Sequence, residues 1–78
     1  RMQSTLPTVI TPERWITHLF SARSAAEGGI VRRKVSDVER LVGRDRFLNE
    51  VRRRGFRAVE NCGQFIVFCN RDPVYLIV

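Results

Sequence analysis

Residues 36–56 read Ser36-Asp37-Val38-Glu39-Arg40-Leu41-Val42-Gly43-Arg44-Asp45-Arg46-Phe47-Leu48-Asn49-Glu50-Val51-Arg52-Arg53-Arg54-Gly55-Phe56. Their spacing predicts two short helices joined by a tight turn. Ser36 and Glu39 stand as a capping box: the Ser side chain takes the third amide, and Glu39 reaches back to the amide of Ser36. Val38, Leu41 and Val42 point inward from this two-turn helix, which ends near Gly43. The next helix starts at about Asp45 and buries Phe47, Leu48 and Val51. Gly55 suits the left-handed residue after a helix. Val51 and Phe56 then fall where a Schellman motif makes its hydrophobic contact.

Upstream, Thr11 is placed to cap a helix and Pro12 suits the first helical position. Trp15, Ile16, Leu19 and Phe20 form one apolar stripe, and Gly28-Gly29 stops the run, so a helix is expected over 12–27. Residues 1–10 contain Pro7 and read as an extended arm. Ile30 to Val35 alternates as a brief strand. Downstream, Arg57–Glu60, the turn Asn61-Cys62-Gly63-Gln64 and Phe65–Cys69 predict a β-hairpin. Its second strand is apolar on both faces and should be central. Asn70–Pro73 is a second turn, and Val74–Val78 has strand character. The expected architecture is α+β: three helices, a hairpin towards the C-terminal end and a short extra strand. The arm covers 1–10 and the domain 11–78.

Charge is concentrated in one third of the chain. From Arg32 to Arg57 there are ten basic and four acidic residues, which is +6, the whole formal net charge. If the fold gathers this excess on one face, the face attracts polyanions, of which nucleic acid is the commonest. Thirteen of the fourteen basic residues are Arg, whose fork matches phosphate and guanine better than Lys does. Codon bias in a GC-rich genome explains that preference equally well.

Other classes find little support. No apolar run approaches a membrane span and no signal-peptide pattern is visible, so a cytoplasmic protein, nucleoid-associated or nuclear if eukaryotic, is expected. Cys62 and Cys69 make neither a disulfide framework nor a zinc ligand set and read as reduced thiols, Cys69 in the core and Cys62 in the turn. His18 lies off the apolar stripe and reads as a surface residue; Trp15 reads as core. No catalytic set, phosphate-cradling glycine loop, metal site, cofactor motif or small-molecule site is apparent. The chain opens on Arg1 and stops inside an apolar run, which points to a piece of a longer protein.

The order of elements over about residues 11–69 resembles the winged-helix (winged helix-turn-helix) DNA-binding superfamily. The resemblance rests on Ser36–Gly43, then Arg44 to Gly55-Phe56, then the hairpin, with a three-to-four-residue turn around Gly43 as a helix-turn-helix requires. It implies that helix 45–54 is a recognition helix for the major groove and that the hairpin is a wing. At about 100° per residue, the face opposite Phe47, Leu48 and Val51 carries Arg46, Asn49 and Arg53, flanked by Asp45, Glu50 and Arg52. Arg and Asn make bidentate contacts to guanine and adenine edges. Base contacts are therefore expected from Arg46, Asn49 and Arg53. Phosphate contacts are expected from Arg44, Arg52, Arg54 and Arg57, with Arg32, Arg33 and Lys34 added if the short strand is exposed. Arg54 points closer to the core side and either clamps a phosphate or packs its stem. Glu50, which would otherwise sit near phosphates, is placed to pair with Arg46, Arg53 or Arg54 along the helix.

The wing carries no charge, but Asn61 and Gln64 can hydrogen-bond a backbone or minor-groove edge. The expected partner is double-stranded DNA, in a transcriptional regulator or a phage or mobile-element accessory protein. A homodimer through 74–78 is also expected. Two alternatives stand beside this. One is a winged-helix-like protein-interaction module of the DEP type, with the basic face on an acidic partner or anionic lipid. The other is RNA binding. The run Phe47–Phe56 followed by strands also resembles RNA-cleaving toxins of the HicA type, but these need a His after the turn and none stands there.

Overall fold

The computed structural model describes residues 11–78; the expected arm at 1–10 lies outside them. The elements are α1 (Pro12–Phe20), α2 (Arg23–Ala26), β1 (Ile30–Lys34), α3 (Val35–Leu41), α4 (Arg44–Arg53), β2 (Arg57–Asn61) and β3 (Gln64–Phe68). The described residues thus form a small α+β unit of four helices and a three-stranded antiparallel sheet in the order β1-β3-β2. The apolar strand β3 is central, as expected, with Phe65 and Val67 buried and Ile66 and Phe68 half-buried on its other face.

The expected helix over 12–27 is two helices. Thr11 caps α1, its hydroxyl accepting from the Arg14 amide at 3.2 Å. At the other end the Ser21 hydroxyl donates to the His18 carbonyl at 2.8 Å, and Ala22 turns extended. A hydroxyl that engages the helix's own carbonyls competes with propagation. The break lets α2 bury Ala25 beside Leu19 and Phe20.

The Ser36 capping box does not form. α3 begins at Val35, with Lys34 before it and no side-chain cap. The strand runs directly into the helix, and the Val35 amide donates to the carbonyl of Gly63 in the hairpin turn at 2.8 Å. A tertiary partner satisfies the first free amide, and Ser36 sits inside the first turn. Only Val42 and Gly43 separate α3 from α4, a tighter connection than expected.

α4 ends as its residues predict. Gly55 has φ +77°. The Phe56 amide donates to the Val51 carbonyl at 3.1 Å and the Gly55 amide to Arg52 at 2.9 Å, the paired bonds of a Schellman motif. In the hairpin, Asn61 pairs with Gln64, leaving Cys62 and Gly63 as a two-residue loop with φ +50° and +71°. Two positive φ values match a type I′ turn.

The helices cover one face of the sheet. Phe47, fully buried, stacks on Phe65 at 5.3 Å between centroids and on Phe20 at 6.5 Å, with Trp15 edge-on at 6.3 Å. Val31, Phe65 and Val67 face this core and Cys69 is buried beside it, where desolvation raises its thiol pKa. Segment Val74–Val78, expected to have strand character, forms no strand and lies exposed. Pro73 has no amide to donate, and no strand of its own chain pairs with the segment.

Candidate nucleic-acid interface

α4 is anchored by Phe47 and Val51 and turns Arg46, Asn49, Arg52 and Arg53 to solvent. Most of its arginines already have partners. Arg46 pairs with Glu13 of α1. Glu50 accepts from Arg53 at 2.5 Å and from Arg54 at 2.9 Å. Arg52 donates to the Asn49 side-chain oxygen at 2.6 Å. The hydrogen bond from Arg53, helped by that from Arg54, holds the Glu50 carboxyl below the ordinary glutamate range against the opposing effect of burial.

These pairings sort the expected site residues. Arg46 and Arg53 line a cleft of about 210 Å³ between α1 and α4, together with Glu13 and Glu50. Asn49 is exposed on the outer face of α4, Arg52 lies to its β2 side beside Leu48 and Ala58, and Glu50 is turned towards α1. Arg44 and Arg54 pack over aromatic rings as well as pairing with carboxylates. Arg44 bonds Glu60 at 2.6 Å and lies 5.1 Å over the Phe65 ring, fastening the start of α4 to the sheet; the Glu60 bond raises its pKa. Arg54 lies 4.6 Å over the Phe20 ring and fastens the other end to α1.

The remaining basic residues divide between the sheet's far face and the hairpin end. Val31, Phe65 and Val67 point to the helices. Side chains alternate along a strand, so Arg32, Lys34 and Arg57 point to the opposite face. The rows there are Ile30–Phe68–Arg57, Arg32–Ile66–Val59 and Lys34–Gln64–Asn61. The +6 excess is therefore split over two faces.

One consequence lay beyond sequence reasoning. Lys34 stands directly across from Gln64, and Arg33 across from Phe65, at the hairpin end of the sheet. The wing has no charge of its own, but the neighbouring strand lines it with two basic residues. The signal that would have found this is the β1–β3 register, which joins positions about thirty residues apart. Asn61 and Gln64 are both exposed there, beside the exposed Cys62.

No helix among the described residues is long and apolar enough to cross a membrane. No protein-family model, curated protein or solved structure matches this chain.

Proposed function

We propose that this domain binds double-stranded DNA in the winged-helix manner, as part of a regulator or a mobile-element accessory protein. The observation that carries the reading is the outward face of α4: Arg46, Asn49, Arg52 and Arg53, exposed on a rigidly anchored helix with no apolar residue among them. Element order and sheet order are compatible with a winged-helix layout. Asn49 leads into the major groove, and Arg52, bonded to its side-chain oxygen, stands beside it towards a phosphate. Arg46 and Arg53 join them by exchanging Glu13 and Glu50 for base edges or phosphates. Exposed ion pairs contribute little to stability, so that exchange is inexpensive. Arg33, Lys34, Asn61 and Gln64 at the hairpin end meet the flanking backbone. Arg44 and Arg54, each packed over an aromatic ring, hold the helix in place.

The test is fluorescence anisotropy of a labelled random-sequence duplex across a salt series, with Arg53→Ala alongside. Six or so phosphate contacts give an affinity loss on the order of 10³-fold between ~50 and ~200 mM salt, and Arg53→Ala weakens binding throughout. No binding at ~50 mM salt sinks the reading and turns attention to a protein partner for the same face.

A further inference from the structure

A shallow apolar groove of about 320 Å³ runs between α4 and β2. Its floor is Leu48, Val51, Phe56 and Ala58, and Arg52 and Arg57 stand at its rim. β2 is an edge strand of the sheet. In a two-residue hairpin the residues flanking the loop form a hydrogen-bonded pair, and the pairs alternate from there. Asn61, Val59 and Arg57 therefore bond to β3, and the amides and carbonyls of Ala58 and Glu60 point out of the sheet. An open edge beside an apolar groove is a template for another strand.

The same chain carries the complementary strand. Val74-Tyr75-Leu76-Ile77-Val78 is apolar throughout, and Tyr75, Leu76 and Ile77 are 76%, 92% and 88% exposed. A contiguous exposed run of this kind marks an interaction surface. At 88% exposure and more, Leu76 and Ile77 touch almost nothing of their own copy. The segment leaves the sheet beside Gly55, where the Arg71 side chain packs, and the Asp72 amide turns onto the Asn70 side chain at 3.0 Å.

We infer that Val74–Val78 of one copy adds as a strand to the free edge of β2 in a second copy, and that the exchange is reciprocal. Val74, Leu76 and Val78 share one face of the added strand and enter the groove. Tyr75 and Ile77 fall beside the exposed Val59 on the outer face. Asp72, just before the segment, meets the basic rim. Pro73 stands ahead of the pairing residues, where its missing amide costs no ladder bond. Both halves of the contact sit on every chain, so two copies close a two-fold dimer and leave no segment unpaired. Two reciprocal strands over two grooves bring the buried surface towards the ~1,200–2,000 Å² of a standard stable interface. The inference does not depend on DNA binding.

Sedimentation velocity over a concentration series, joined to amide hydrogen exchange at Ala58 and Glu60, tests it. Leu76→Asp lies outside the core and leaves the fold intact. The expected result is a dimer whose Ala58 and Glu60 amides are protected, and a Leu76→Asp protein that is monomeric with both amides exchanging at least tenfold faster. A dimer unaffected by Leu76→Asp overturns the proposal, because another face then makes the contact. A monomer at every concentration overturns it too. If that monomer still loses amide protection on Leu76→Asp, the segment folds back onto its own groove.

Discussion

Glu50 shows how one carboxylate sets the state of a helix face. It is 19% exposed and holds two arginines, Arg53 at 2.5 Å and Arg54 at 2.9 Å. Its pKa is lowered by these bonds, so the folded state binds its proton less tightly than the unfolded chain. The stabilisation is therefore complete above the ordinary glutamate range of about 4.3 and is lost as the pH falls through the lower, folded value. Glu50→Gln should cost about 1 kcal/mol at pH 7, in line with a charged hydrogen bond near the surface. The gap between the two proteins should close towards pH 3. Urea unfolding at both pH values measures it, and an offset that stays constant would mean that packing, not charge, is what Glu50 provides.

At the scale of elements, the two helix starts make a controlled comparison. Thr11 and Ser36 both read as caps in the sequence. Only Thr11 accepts a backbone amide, whereas the amide that opens α3 is satisfied by Gly63. Thr11→Ala should cost about 1 kcal/mol, and Ser36→Ala about 0.3 kcal/mol or less. Thermal melts of the two variants decide it; equal losses would restore the Ser36 cap. The comparison also shows what a sequence makes legible. The Schellman end at Gly55, the Cys62-Gly63 turn and the Thr11 cap are settled within a few residues, and all three could be read directly. The break at Ser21-Ala22, the start of α3 and the unpaired state of Val74–Val78 depend on what packs nearby, and local spacing misread them. The candidate site divides in the same way. Periodicity along α4 found the outward Arg46, Asn49 and Arg53. It turned Arg54 towards the core side, but it did not find the partners that hold Arg44 and Arg54, because Phe65, Glu60 and Phe20 come from distant parts of the chain.

For the molecule as a whole, the division of positive charge between two sides decides how a duplex would lie. On the proposed reading, a duplex on α4 would meet the hairpin end, where Arg33 points to the helix side and Lys34 stands at the last row of the far face. It would stay clear of the rest of that face, where Arg32 and Arg57 flank Ile66, Phe68 and Val59. Each phosphate contact contributes roughly 0.9 to the slope of log affinity against log salt. The double variant Arg33→Ala/Lys34→Ala should flatten that slope by about 1–2, whereas Arg32→Ala/Arg57→Ala should leave it nearly unchanged despite the same loss of net charge. Matching the two pairs in charge removes the general attraction between a basic protein and a polyanion, so position alone separates them. If Arg32→Ala/Arg57→Ala flattens the slope as much, the duplex lies across the open face of the sheet. The exposed residues of α4 would then have to serve some other partner.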